Sequence, residues 1–397
     1  MKLLFIHEVN YEKKVIFEIH EFPELLNLKG HEIHYIHFPE KIGIRNFNLR
    51  SRIKTISGRA YPEAKIQLIT PPTLGGSFID RVMATIYTIP LLYKQIKKEK
   101  YDAIVLFSVP TTGWQTALLA KHFHTPILFR ALDVSHLLRS AVSKKIVLWA
   151  ERVVYRNVNA ISANNSALAD YCVSHNAQHV PLVVNVPPLD LAHFYNAGKS
   201  INVRKKYNIA NDDFVIMFMG TLYEFSGLSK VIADFANLKP EGTKLVIVGG
   251  GKDEFLLHKL VEEFNLGNQV IFTGVIPYPE LPAILGIADV AINSFEPSLV
   301  TDVAFPHKVL QYLAAGLVIV STKLKGLYNS LGENAGIYWV DETSQVLAKA
   351  LDLRNNPPTN LTETKNLGRT FVQENFNKEK AVSEFERAIK GISRDSK

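Results

Sequence analysis

The chain has 397 residues, 47% of them hydrophobic and 21% charged. That is more than one hydrophobic core usually serves, so two domains of roughly 200 residues are expected. A single cysteine, Cys172, excludes an intramolecular disulfide framework and fits a reducing compartment, the cytoplasm. The net charge of +7 is unevenly held: residues 1–195 carry 23 Lys and Arg against 15 Asp and Glu (+8), and residues 196–397 carry 22 against 23 (−1). An anionic partner would therefore meet the first half.

In chain order, Lys2–Ile6 reads as a strand, because His7 and Glu8 interrupt its apolar run too early for a signal peptide. A helix-like pattern follows over Val15–Leu28, then a strand over Glu32–Phe38, a basic insertion, and a strand over Ile66–Thr70. The longest apolar stretch, Val82–Tyr93, contains Thr85, Thr88 and Pro90 and stops short of a membrane span. It lies in a helical pattern over Phe78–Lys97. Strand patterns at Ala103–Phe107, Ile127–Arg130, Ala160–Ser162 and Val180–Val184 alternate with helical ones at Gly113–His122 and Lys144–Arg156. Alternation of this kind predicts a parallel sheet covered on both faces.

The second half repeats the scheme. Strands are expected at Phe214–Met219, Lys244–Val248, Gln269–Thr273, Asp289–Asn293, Leu317–Ser321 and Ile337–Val340, with helices at Leu228–Ala236, Glu254–Phe264, His307–Ala314 and Thr343–Leu353. Six strands fit a doubly wound unit. Val186–Gly198 and the polar run Asn202–Asp213 read as a linker, which puts the boundary near residue 195. The expected organisation is a Rossmann-like domain over 1–195, a second over 196–375, and a C-terminal helix over 376–397 whose apolar stripe, Ala381, Phe385, Ala388 and Ile389, packs back on the first domain.

The segment Phe305–Gly316 is a well-punctuated helix, with Pro306 at its start and Gly316 past its end. It puts Lys308 and, three residues on, Gln311 on one face near the carboxyl edge of the sheet, where anions bind in such folds. Gly220 ends one strand, and Thr221 to Ser226 form a loop before Gly227. Backbone N–H groups of such a loop are suited to a phosphate. Gly249-Gly250-Gly251 ends the next strand without a GxGxxG fingerprint, so a nicotinamide cofactor is not expected. Nor does the chain hold HExxH, CxxC, an Asp-x-Asp pair, GxSxG or a Walker-type loop, and no metal is expected in the chemistry.

The order of these pieces resembles glycosyltransferase family 4, of the GT-B fold, over essentially the whole chain. The matching segments are Lys29–Ile33, Phe218–Leu222 with Gly227-Leu228, Lys244–Gly251, Val270–Pro277, Ala288–Val290, and Pro306–Gly316 followed by Val318–Ser321. The resemblance implies an α/β protein with two Rossmann-like domains whose parallel sheets face a central cleft. It also implies a glycosyltransferase, hexosyltransferase-like, that uses a nucleotide-sugar donor as substrate, needs no cofactor and retains anomeric configuration. By position it implies that Gly220 and Lys308 approach the donor diphosphate, that Gly274, Val275 and Ile276, up to Pro277, line the base pocket, and that Gln311 faces the ribose. Lysine suits a phosphate as a point charge, and an amide can both donate to and accept from a diol.

The chain departs from the family pattern at three charges. Two glutamates eight apart are replaced by Val303 and Gln311, and the basic residues of the first phosphate loop by Thr221 or Leu222 and Ser226. Glu296 or Asp302 is expected to take the place of the sugar-facing glutamate. In the first half Asp133 and His136 follow a strand where the family has an acidic or histidine residue facing the sugar, while Asp133 or Ser135 as a helix cap is the plain alternative. His7 and Glu8 end the first strand and would face the same region.

The missing charges motivate a second expectation, a GT-B subunit without turnover that binds or regulates a partner; an epimerase on the same fold is a third. The acceptor is expected to be a glycan or lipid-linked precursor. Lys41, Arg45, Arg50, Arg52, Lys54 and Arg59, interleaved with Ile42, Ile44, Phe47, Leu49, Ile53 and Ile56, suit an anionic membrane surface at the cytoplasmic face. Nucleic acid is not expected, because no recognised motif accompanies the charge.

Overall fold

The structure, a computed structural model, describes residues 1–14, 16–39, 50–73, 77–137, 141–175, 177–184, 190–195, 197–198 and 200–393. The chain forms two compact units, one of Met1–Leu189 with Asn377–Lys397 and one of Asp190–Phe376. The change of unit falls between Leu189 and Asp190, a few residues before the position expected from the sequence.

The first unit runs β1 (Lys2–Ile6), α1 (Glu18–Leu28), β2 (Glu32–Ile36), β3 (Arg52–Ser57), β4 (Lys65–Thr70), α2 (Ser77–Tyr87) and α3 (Ile89–Glu99). It continues with β5 (Ala103–Leu106), α4 (Gly113–His122), β6 (Ile127–Ala131), α5 (Ala141–Asn157), β7 (Ala160–Ala163), α6 (Ser166–Ser174) and β8 (Leu182–Val183). Its eight strands lie in the order β3-β4-β2-β1-β5-β6-β7-β8 and are parallel except for β3, which runs antiparallel to β4. Part of the basic insertion is thus an edge strand. Its following turn is fixed by Glu24, buried, whose carboxylate accepts from the backbone N–H of Arg59, Ala60 and Tyr61 at 2.8 Å each.

The helix expected over Phe78–Lys97 is interrupted at Thr88. Thr88 Oγ1 donates to Ala84 O, and Pro90, which has no N–H to give, lies in the first turn of α3, which begins at Ile89.

The second unit runs α7 (Ile201–Lys206), β9 (Phe214–Met219), α8 (Leu228–Leu238), β10 (Thr243–Val248), α9 (Glu254–Glu263), β11 (Val270–Gly274), α10 (Leu281–Leu285) and β12 (Val290–Asn293). It ends with α11 (Leu299–Asp302), α12 (Lys308–Ala314), β13 (Val318–Thr322), α13 (Lys325–Leu331), β14 (Ile337–Val340), α14 (Ser344–Asn355) and α15 (Leu361–Asn375). Six parallel strands are ordered β11-β10-β9-β12-β13-β14, a doubly wound sheet with its reversal at β9 and β12. Such a reversal is where this architecture binds ligands, beyond the carboxyl ends of the strands. The polar run taken for linker holds α7, because Arg204 is buried and donates to the carbonyls of Ala210, Asp213 and Ile287.

The last helix, α16 (Lys378–Ile392), belongs to the first unit. Val382, Phe385, Ala388 and Ile389 enter that unit's core, with the Phe385 ring stacked on Phe22 at 4.0 Å. Beneath them Arg130, fully buried, pairs with Glu18 at 2.8 Å and donates to Ser162 Oγ and the Ala163 carbonyl.

Candidate functional site

In the second unit the loops after β9, β10 and β12 lie against one another, and glycine is what lets them. Gly249 has φ +124°, and a Cβ there would stand 2.0 Å from Gly220 O; a Cβ on Gly227, φ +68°, would stand 2.1 Å from Ser294 O. Gly220 itself has φ +146°. The backbone pairs Gly220 N to Val248 O and Leu222 N to Gly250 O, so two of the N–H groups expected to face a phosphate are spent inside the unit. Ser226 N and Gly227 N are also spent, on Tyr223 O and Glu224 O. Thr221 is exposed, and its N–H makes no hydrogen bond among the described residues.

Lys308 is the first residue of α12 and is 7% exposed. Its Nζ lies between two aromatic faces, 3.7 Å from the Phe218 centroid and 4.0 Å from that of Phe295, and has no hydrogen-bond partner among the described residues. A Cβ on Gly220 would come within 3.8 Å of it. Burial pushes the amine's pKa well below its usual value. A buried amine with no acceptor is costly to keep, and cation–π contact offsets only part of that cost. Tyr312, one turn on, accepts from Met219 N at 2.7 Å and fixes α12 against the end of β9, so Lys308 and Gly220 are held together.

The other residues singled out in the second unit divide. Gln311 is half-buried, and its side-chain amide makes no hydrogen bond among the described residues. Gly274 has φ +69° and open space around its Cα, and Val275 after it is 73% exposed with Ile276 half-buried, an open rim beside Gly250. Ser226 is buried, and its carbonyl accepts from Ser294 Oγ at 2.7 Å. Glu296 pairs with Lys230 at 3.2 Å, and Asp302 accepts from Lys325 N at the start of α13. Both acids offered as substitutes for the family glutamate therefore already have partners.

In the first unit Asp133 is exposed and accepts from Ser135 Oγ, while His136 is buried. Both precede α5, which begins at Ala141, and residues 138–140 between lie outside the described residues. Glu151 of α5 accepts from both His136 N at 3.0 Å and Nδ1 at 2.9 Å, and Tyr171 O–H also reaches Glu151 at 3.0 Å. With Nδ1–H held by a carboxylate, the imidazole presents Nε2 as its acceptor. His7 is buried with Nδ1 unpartnered, and burial, then His20, Lys14 and Arg81, lower its pKa to about 3. Glu8 is engaged structurally, accepting from Thr111 N, Thr111 Oγ1 and Thr112 N; burial raises its pKa and these bonds offset part of that. No group of three or more His, Cys, Asp and Glu suited to a metal ion occurs among the described residues.

The sequence profile described as glycosyl transferases group 1 matches residues 199–363. An uncharacterised glycosyltransferase of Methanocaldococcus jannaschii is 23% identical over 256 residues, 61% of this chain and 60% of that protein. The chain thus spans about three fifths of that curated relative's length. Sucrose-phosphate synthase of Thermosynechococcus elongatus superposes with a TM-score of 0.77 at 15% identity, covering 98% of each chain. Anabaena HepE in complex with UDP and glucose gives 0.74 at 14% identity, covering 98% of this chain and 99% of that one. The fold is GT-B.

Within the matched segment, the rings of Phe218 and Phe295 are what sequence reasoning missed. Phe218 reads as one more apolar strand residue, and Phe295 lies 13 positions from Lys308 in a loop with no periodicity. Glu151 had no local signal either, being an acid in an otherwise ordinary helix.

Proposed function

We propose that the protein is a glycosyltransferase that moves a sugar from a nucleoside diphosphate sugar to a glycan or lipid-linked acceptor. The observation that carries this is the buried Lys308 amine, without an acceptor of its own and beside Gly220. A diphosphate supplies what that amine lacks, and its approach restores the charge that burial disfavours. As the glycosidic bond to the departing diphosphate breaks, Lys308 and the Thr221 N–H meet the developing negative charge without a metal ion. Gln311 takes the ribose hydroxyls, and the Gly274–Ile276 rim takes the base. Asp133 and the Glu151-oriented His136 are assigned to positioning the transferred sugar, with retention of configuration. The solved HepE complexes with UDP and UDP-glucose support a uridine donor as the first to try.

The protein is proposed to work in the cytoplasm, at the inner face of a membrane when its acceptor is lipid-linked. No helix among the described residues is long and apolar enough to cross a membrane. The test is turnover with a panel of UDP, GDP and ADP sugars and a scan for donor hydrolysis. Release of nucleoside diphosphate supports the enzyme, an interconverted donor sugar supports an epimerase, and tight donor binding without turnover supports the binding subunit suggested by Val303, Gln311 and Ser226.

A further inference from the structure

In the first unit α2 packs on α3, α3 on α4 and α4 on α5, a helical layer with one outer surface. That surface is apolar to an extent the core does not require. Ile146 is 66% exposed, Trp149 50% and Leu118 43%, with Trp149 edge-on to Trp114 at 5.4 Å. Val82, Met83 and Ile86 of α2 extend the same exposed character. Exposed tryptophan beside exposed aliphatic residues marks a site that meets another phase or another molecule.

On α4 and α5 the exposed charges have one sign, whereas α2 carries Asp80 beside Arg81. On α5, Lys144, Lys145, Arg152 and Arg156 are exposed, and Lys121 is exposed on α4. The single acid of α5, Glu151, is buried against His136, α4 has none, and Glu99 at the end of α3 is paired with Lys2. Along α5 the spacing Lys145, Trp149, Arg152, Arg156 puts cations and an aromatic on one stripe. An apolar centre flanked by the exposed cations of α4 and α5 complements a surface that is anionic outside and hydrocarbon beneath.

We propose that the outer surface of the α4–α5 pair is a docking face for an anionic lipid bilayer, with Trp149 and Ile146 entering the headgroup region and Lys144, Lys145 and Arg152 meeting lipid phosphates. This differs from the surface the sequence suggested. In the 41–59 segment, residues 41–49 lie outside the described residues; of the rest, Lys54 pairs with Glu12 and Arg59 donates to the carbonyls of Tyr11 and Lys14. The proposal rests on the reading of a lipid-linked acceptor only for its purpose, since docking and donor chemistry are measured separately.

The experiment is flotation of the full chain with vesicles of equal phosphatidylglycerol and phosphatidylcholine, and with phosphatidylcholine alone. The wild type is expected to float with the first and not the second, and to be released as salt is raised. Trp149→Glu and the Lys144→Glu/Lys145→Glu pair should each weaken binding by about tenfold or more, because each places an anion at an anionic surface. Both should keep wild-type melting and wild-type donor hydrolysis in solution. Equal flotation of Trp149→Glu and wild type would overturn the proposal. So would dimerisation of the free protein that the same substitution abolishes, or salt-sensitive binding to RNA in place of vesicles. Loss of donor hydrolysis in the wild type would instead count against the glycosyltransferase reading and leave flotation to judge the face.

Discussion

At the scale of the residue, Lys308 joins a stability cost to its proposed role in binding. Its amine is buried, unpartnered, and lowered well below its usual pKa by burial. Because the unfolded chain holds this proton more tightly, the folded state loses stability as pH falls from the amine's ordinary range near 10.5. Lys308→Met should therefore stabilise the unliganded protein by about 1–3 kcal/mol, the cost of the unmet polar burial it removes, and so raise its melting temperature. Lys308→Ala should lower kcat by roughly two to three decades, as for loss of one preorganised charge-stabilising donor. Calorimetry and donor turnover check the pair: a destabilised Met variant, or an Ala variant within threefold of wild type, removes Lys308 from the account. Gln311 gives a second test at this scale. Gln311→Glu should keep the donor KM near that of wild type, whereas Gln311→Leu should raise it, because an apolar group leaves hydroxyls unmet; three equal KM values would discard the ribose contact.

At the scale of elements, α16 shows how a distant segment is fixed to a unit. Phe385 stacks on Phe22, and Glu386 receives Lys29, His31 and Lys390. Burial raises the Glu386 pKa, but these three donors outweigh it and hold the value near 2. Phe385→Ala should cost about 3–5 kcal/mol in the stability of the first unit, read by urea denaturation; a loss below 1 kcal/mol would mean that α16 is not part of that core. The stripe Ala381, Phe385, Ala388, Ile389 made this helix legible, as period-2 and period-3.6 patterning made most strands and helices legible. What patterning did not reveal depends on partners remote in sequence. The polar α7 is held by Arg204 reaching Ile287 O, and the break at Thr88 by a hydroxyl folded back on Ala84. The site divides the same way. The placement of Gly220 at a strand end beside Lys308, with Gln311 on the same short helix, was legible because strand ends and helix starts are local, whereas the engagement of Glu296 by Lys230 and of Asp302 by Lys325 was not.

At the scale of the whole molecule, the two units should respond differently to acid. In the first, burial lowers His7 to about 3 and His20 and His37 to about 4, from an ordinary 6.5. Each is depressed in the fold, so the stability it contributes is complete above about pH 6.5 and is lost as pH falls toward 4. The loss amounts to as much as about 1.4 kcal/mol per pH unit for each histidine that stays neutral in the fold. Between pH 7 and 5 these three depressed histidines act on the first unit against the one depressed Lys308 of the second, so limited proteolysis at pH 5 should cut within 1–189 before 190–376; equal resistance of both would contradict the assignment.

The central claim, that the Lys308 amine is waiting for a nucleoside diphosphate, is tested most directly by thermal-shift titration of wild type and Lys308→Ala with UDP, GDP, ADP and their sugars. One nucleotide series should stabilise the wild type, by about 2.7 kcal/mol at a hundred times its Kd, and the shift should vanish in the variant. No shift with any nucleotide, or the same shift in both proteins, would contradict it.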